Sequence, residues 1–287
     1  TEAVARFVHD GDYIATGGFG MVRIPTAVLH ETVRTRKQDL GLAGQVKTHD
    51  AQILVAGGCV SRCDIGYMIG LEGRGLCPSE RRAFESGSID IAEWSNGALS
   101  WRLKAAVMGI PFMPTRVMMG TDTFNYSAAA EITCPFTGKK LLALPALYPD
   151  VGIIHVDRAD VYGNCQIDGI QISDADIARA SRRVIITTEK VVDTDEIRQH
   201  PGHTVIPHFC VDAVVEVPHG SYPGNMPGLY ASDEPHLSAW LDAARNPAEF
   251  DKFLDWHIYS CPDFETYLER NGGMRRLGEL EREEEGI

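Results

Sequence analysis

The chain has 287 residues, is 44% hydrophobic and 23% charged, and carries a formal net charge of −13. Such a composition suits an ordinary soluble globular protein. The negative far field repels polyanions and speaks against general nucleic-acid or anionic-membrane binding.

No apolar run approaches the roughly 20 residues that span a bilayer. The opening TEAVARFVHDGD reads as a short helix entering a turn, not as a secretory leader. The seven cysteines lie at 59, 63, 77, 134, 165, 210 and 261, with no CxxC pair. That dispersal predicts reduced thiols in a cytoplasmic protein. Cys59 and Cys63 lack a second pair, so no metal site is expected there.

In chain order, YIATGG (13–18) reads as a strand that opens into TGGFGMVRIPTAVL (16–29), followed by a helix over 24–36. Gly17, Gly18 and Gly20 bracket Phe19. Glycines at a strand-to-helix turn let the backbone approach a ligand, and their N–H groups can hold an oxyanion or phosphate. A plain tight turn explains them equally well. The third glycine of a dinucleotide fingerprint is missing.

VKTHDAQILVAGG (46–58) reads as a further strand. In GLEGRGLCPSERRAFESG (70–87), the glycines suit a mobile loop before a helix over 79–86. There Arg74, Arg81 and Arg82 are candidates to pair with a ligand's carboxylate or phosphate, against a solvated helix face. The strand IDIAEW (89–94) carries Glu93 into Ser95-Asn96-Gly97 and a helix over 98–108. Ser95 or Asn96 can cap that helix, and the same place is where open α/β sheets bind ligands. PFMPTRVMMG (111–120) predicts another strand, whose exit brings Gly120, Thr121 and Asp122 to the same sheet edge.

LLALPAL (141–147), DVGIIHVDRAD (150–160), RRVIITTEKV (182–191) and VDAVVEVPHG (211–220) complete the strands. Several are near-continuous apolar runs, as expected of strands buried on both faces of a parallel sheet. Helices are predicted over 173–181 and 194–199, and a helical tail from about 234 to 270, with the closing ELEREEEG read as a frayed end. His155 reads as a satisfied core histidine and Glu189 as a structural residue behind a site. His200, His203 and His208 lack metal-ligand spacing. The pattern predicts one α/β domain over 1–287, an open and mainly parallel sheet flanked by helices, with 234–287 as a helical C-terminal extension.

TGGFGMVRIP, PALYPDVGIIHVDRADVYGNCQI (145–167), RRVIITTEKVVDTDEI (182–197) and VDAVVEVPHGSYPG (211–224), in that order, resemble the alpha subunit of family I CoA-transferases. Within that family the chain is most similar to the glutaconate type, to about residue 273. The resemblance implies an alpha–beta heteromer, a heterotetramer or larger, with the active site at the subunit interface. It implies acyl-CoA and a small carboxylic acid as ligands, with coenzyme A as substrate and no permanently bound cofactor. In the family, a beta-subunit glutamate attacks the acyl-CoA thioester and becomes a glutamyl-CoA thioester. Gly17, Gly18, Phe19 and Gly20 are then expected to stabilise developing negative charge, and the 220–230 loop to shape the acyl pocket or pack on the partner. Related steroid ring-opening hydrolases carry an essential glutamate in the loop equivalent to WSNG. Here Asn96 stands in its place, and Glu93 is the nearest carboxylate. An amide can orient a substrate but cannot act as nucleophile or base. The rival readings are a ring-opening hydrolase and a non-catalytic subunit that binds acyl-CoA.

Overall fold

A computed structural model describes residues 1–68, 70–71 and 73–286. Helix α1 (Glu2–Phe7) leads into β1 (Tyr13–Thr16), α2 (Thr26–Arg34), β2 (Leu40–Val46), α3 (His49–Ala56) and β3 (Val60–Tyr67). A short hairpin, β4 (Gly70–Leu71) and β5 (Gly75–Leu76), precedes α4 (Pro78–Glu85), β6 (Asp90–Glu93) and α5 (Asn96–Val107). Then come β7 (Phe112–Thr115), β8 (Ala130–Thr133), β9 (Lys140–Pro145), β10 (Val151–Asp160), β11 (Cys165–Gln166) and α6 (Asp174–Ala180). β12 (Arg183–Val192), α7 (Thr194–Gln199), β13 (Thr204–Ile206) and β14 (Ala213–Glu216) follow. The chain closes with α8 (Glu234–Ala243), α9 (Pro247–Leu254), α10 (Phe264–Arg270) and α11 (Gly273–Glu285).

The main sheet has nine strands. In it β14, β12, β10, β1, β2, β3 and β6 lie side by side in that order, each pair parallel. β11 adds antiparallel to the end of β10, and β13 to β11. The chain winds outward from β1 in one direction through β6, then restarts at β10 on the other side of β1. The boundary between β1 and β10 is therefore a topological switch point, whose carboxyl side is where open α/β sheets bind ligands.

Successive residues of the central strands enter opposite cores. Ile14, Leu42, Ile153 and Ile185 pack with α2, α3, α8 and α9, whereas Ala15, Ala43, Ile154 and Ile186 pack with α5, α6 and β9. Burial on both faces is the physical reason for their uninterrupted apolar character. A third cluster joins Tyr222, Met226 and Tyr230 to Tyr267, Leu277 and Leu280. The 220–230 loop therefore packs within its own chain.

The structure revises several expectations. The 46–58 run is not a strand: β2 stops at Val46, and 49–56 form α3 with Ala51, Ile53 and Leu54 buried. A short apolar run cannot by itself separate a buried strand from a buried helix turn. β2 ahead of Val46, β3, β8 and the short strands β4, β5, β11 and β13 were not anticipated. β7 and the 141–147 strand leave the main sheet altogether and form, with β8, an antiparallel sheet ordered β7-β9-β8. The closing charged segment is not frayed, since it belongs to α11, which buries Leu280 and directs Glu281 to His219 and Glu284 to the Gly228 N–H.

Candidate functional site

The glycine loop leaves β1 at the switch point. Gly18 and Gly20 have φ of 73° and 64°, and Arg23 has 53°. A Cβ on Gly18 would lie 2.7 Å from the Arg23 carbonyl oxygen and closer still to that of Val22. Only glycine fits, and Gly18→Ala is expected to unseat the loop and lower Tm by several degrees. A thermal melt of the two proteins checks this.

The four amides of this loop are all bonded within the chain. Gly17 N donates to Ile153 O (2.8 Å), Gly18 N to Asp174 Oδ1 (2.9 Å), Phe19 N to Val22 O (3.1 Å) and Gly20 N to Val46 O (3.0 Å). The expectation that Gly17–Gly20 present free donors to an oxyanion is thus corrected for this arrangement. What the loop leaves accessible is the half-buried Phe19.

Beneath the loop lies a dry, charged foundation. Arg23 and Asp174 form an ion pair with both side chains at 0% exposure. Arg23 reaches Asp174 Oδ1 and Oδ2 at 3.1 and 3.0 Å, and also the carbonyls of His155 and Ile170. Burial pushes the Asp174 carboxyl up, but Arg23, the Gly18 N–H and Lys47 more than offset this and hold it below its ordinary range. Lys47 Nζ donates to Thr16 O (2.7 Å) and Gly17 O (3.1 Å) and lies 3.4 Å from Asp50. Thr16 Oγ1 donates to the same Asp50 at 2.7 Å. Thr16, Gly18, Gln45, Lys47 and Ser173 line a slot with only about 10 Å³ free, room for about one water. These side chains fill the crevice between the glycine loop and its neighbour.

That neighbour is the WSNG turn, across the end of β2. Gln45 Nε2 donates to Asn96 O (3.1 Å) while Val46 O, one residue on, receives Gly20 N. The two loops are thereby tied to adjacent residues of one strand. Ser95 caps α5 by accepting from Ala98 N (3.1 Å). The next two N–H groups, of Asn96 and Gly97, have no acceptor among the described residues, and both residues are exposed. Among the described residues they are free backbone donors at this edge, at the positive end of a 12-residue helix. The Asn96 carboxamide lies over Gly66, where any Cβ would collide with its Oδ1. Glu93 projects from the edge strand into solvent with no hydrogen bond or ion pair among the described residues. Gly120, Thr121 and Asp122 are exposed, and the 3-10 turn Asp122–Tyr126 rests against β6.

The arginines of the 70–87 segment do not join this group. Glu72 lies outside the described residues. Arg74 pairs with Glu234 at the start of α8, Arg81 with Glu85 one helical turn on, and Arg82 Nη2 donates to Ala244 O at the α8 end. Their partners are in the chain, which corrects the reading of Arg74, Arg81 and Arg82 as ligand-binding residues. His155 is satisfied by Thr187 and Glu189, each at 2.8 Å. Glu189 also accepts from Tyr230 Oη (2.6 Å) and His219 N (2.7 Å). Burial raises its carboxyl, yet these donors bring it below the ordinary range. Burial pushes the Cys59 and Cys63 thiols up to about 12, so neither is a thiolate at neutral pH. Among the described residues, no group of three His, Cys, Asp or Glu could hold a metal, and no helix is long and apolar enough to cross a membrane.

Arg23, Gln45, Lys47 and Asp174 had no role assigned from sequence. Arg23 stands inside the quoted motif, but its partner is 151 residues away. No local signal joins them.

A doubly wound parallel sheet, with a clamped glycine loop and the amino terminus of α5 side by side at its carboxyl edge, defines an open α/β protein with a topological switch point. The coenzyme A transferase family model matches residues 1–217. The chain belongs to that family of enzymes. It is 32% identical to a glutaconate CoA-transferase subunit of Acidaminococcus fermentans, over 96% of this chain and 92% of that one. The crystal structure of glutaconate coenzyme A-transferase from the same organism superposes with a TM-score of 0.93 at 31% identity, covering 97% of this chain and 93% of that one. Identity to a 3-oxoadipate CoA-transferase subunit of Pseudomonas knackmussii is 34%, over 93% of this chain and 94% of that one. An uncharacterized protein of Archaeoglobus fulgidus is 48% identical over 99% of this chain, which spans only 64% of that protein's length.

Proposed function

We propose that the chain is the alpha-type subunit of a cytoplasmic, heteromeric CoA-transferase that moves CoA between an acyl-CoA and a carboxylic acid. A dicarboxylate is the favoured acid, because the relatives named above act on glutaconate and 3-oxoadipate. The observation that carries the reading is the carboxyl edge itself. It offers free donors at Asn96 and Gly97, whereas its buried carboxylates, Asp50 and Asp174, are paired with Lys47 and Arg23. Glu93 is exposed and has no side-chain partner among the described residues. The nucleophile is therefore sought on a partner chain.

The chemistry balances with one partner glutamate. Its carboxylate adds to the thioester carbonyl and expels CoA thiolate, leaving a mixed anhydride. The thiolate attacks the glutamyl carbonyl, giving glutamyl-CoA and the free donor acid. The acceptor carboxylate then repeats these steps in reverse. In each addition a carbonyl oxygen gains negative charge, and on this reading the exposed α5 amino terminus would receive it. One such donor is typically worth about 3–4 kcal/mol of barrier.

The chain alone is expected to exchange no labelled acid into CoA ester, and the assembled complex to do so. Exchange by the chain alone would overturn the reading. The hydrolase alternative predicts turnover without exchange, and a large loss in the complex on Glu93→Gln. The transferase reading expects that substitution to change kcat by less than about tenfold.

A further inference from the structure

The small sheet β7-β9-β8 has one apolar face too many. Cross-strand partners share a face. The registers Met113↔Leu144 and Thr115↔Leu142 therefore define the inner face, where Leu142 and Leu144 are buried against α5. The registers Phe112↔Pro145, Pro114↔Ala143 and Ile132↔Leu141 define the outer one. Those six residues carry no charge and no hydrogen-bonding side chain, yet none is fully buried and Phe112 is 40% exposed. An antiparallel sheet normally turns polar residues to water. A contiguous apolar face left open marks an interaction site.

Topology places this face beside the functional edge. Helix α5 begins at the carboxyl edge of the main sheet and runs away from it, so β7 runs back toward that edge. Because Thr115 pairs with Leu142 and Thr133 with Lys140, the β8–β9 tip (134–139) extends past Thr115 in the same direction. At the tip, Phe136 is 93% exposed. Two cations sit at that end, Arg116 in the turn after β7 and Lys139 in the tip. Neither has an ion pair among the described residues of a chain whose net charge is −13.

We propose that this outer face and the Phe136 tip form the docking surface for the second subunit of the heteromer. The partner would present an apolar patch with carboxylates opposite Arg116 and Lys139. A second copy of this chain is the poorer occupant, because pairing two such faces would gather both copies' Arg116 and Lys139 in one interface, with no carboxylate among the six apolar residues to meet them. The exposed aromatic has the character of an anchor residue. A subunit seated here lies over the carboxyl edge, where the proposed function requires a carboxylate from outside the chain. The inference rests on that reading of the chain as one subunit of a heteromer.

The test measures the dissociation constant between the full chain and its separately purified partner subunit, by sedimentation velocity. Phe136→Ser and the double variant Phe112→Ser/Phe136→Ser are expected to weaken association by at least 100-fold, with the Tm of the isolated chain unchanged. Phe209→Ser, at an aromatic that is 76% exposed on the β13 side, is expected to leave affinity unchanged. Lys139→Glu is expected to weaken binding about tenfold and to flatten its salt dependence. A wild-type complex that tolerates the Phe136 and double variants would overturn the surface while leaving the heteromer standing. Loss of self-association with hetero-association intact would assign the face to a second copy and overturn the proposal. Absence of any complex with the wild-type chain would overturn the heteromer reading together with the surface.

Discussion

Arg23→Ala is expected to destabilise the chain by about 3–5 kcal/mol, the range for removing one partner of a buried ion pair. Arg23 and Asp174 are both at 0% exposure, so the substitution strands a carboxylate in the core. It also removes the donors to His155 O and Ile170 O. Against a typical total of about 5–15 kcal/mol, that loss leaves a marginal fold. Asp174→Asn keeps an acceptor for the Gly18 N–H but leaves the guanidinium uncompensated, so it too is expected to cost several kcal/mol. Asp174 titrates below the ordinary carboxylate range in the folded chain. Its contribution is therefore complete above the unfolded carboxyl pKa and is lost as pH falls through the lower folded value. Urea unfolding at pH 7 checks both variants. A change under about 1 kcal/mol for Arg23→Ala would show that the pair does not anchor the loop.

Lowering the pH from 7 to 5 is expected to destabilise the chain through four buried histidines. His30, His49, His236 and His257 lie where the C-terminal helices meet α2 and α3. The His30 ring is 4.4 Å from Tyr267, His49 is 4.7 Å from Trp240, and His236 is 5.1 Å from His257. Among the described residues, neither His30 Nε2 nor His49 Nε2 has a hydrogen-bond partner. Burial, the largest cause, lowers His49, His236 and His257 to about 4 and His30 well below its usual value. An unfolded histidine takes up its proton near pH 6.5, whereas these stay neutral in the fold. Their contribution is thus complete above about 6.5 and is lost as pH falls toward about 4. For His49 and His236 the loss is on the order of 2 kcal/mol each at pH 5. His257 is more open and adds less. Acidification also relieves the self-repulsion of a chain at −13, which acts in the opposite direction. A fall in the urea midpoint between pH 7 and 5 therefore points to the histidines. A flat or rising midpoint would contradict it.

Much of the fold could be read from the residues because the central strands bury both faces. VGIIHV and RVIITT admit few other readings, and the glycines at 17, 18 and 20 mark the turn. The eight residues of α3 were misread because a short apolar run has no period to reveal. The small sheet was misplaced for a related reason, since 141–147 states that it is apolar but not which sheet it joins. Within the site, the WSNG turn and glycine loop were recognisable, and β2 does bring them together. That the glycine amides already have acceptors could not be foreseen, because Asp174 and Ile153 are distant in sequence. Arg74, Arg81 and Arg82 misled because charge alone does not say whether its partner is a ligand or Glu234, Glu85 and the Ala244 carbonyl.

On the proposed function, this chain supplies a binding edge and a partner chain supplies the nucleophile. Borohydride reduction or hydroxylamine treatment of the complex, after incubation with acyl-CoA, followed by mass spectrometry of both subunits, tests it most directly. A modified glutamate on the partner, with Glu93 and every other carboxylate of this chain unmodified, is the expected result. Modification of Glu93 would instead put the nucleophile on this chain and overturn the proposed division of roles.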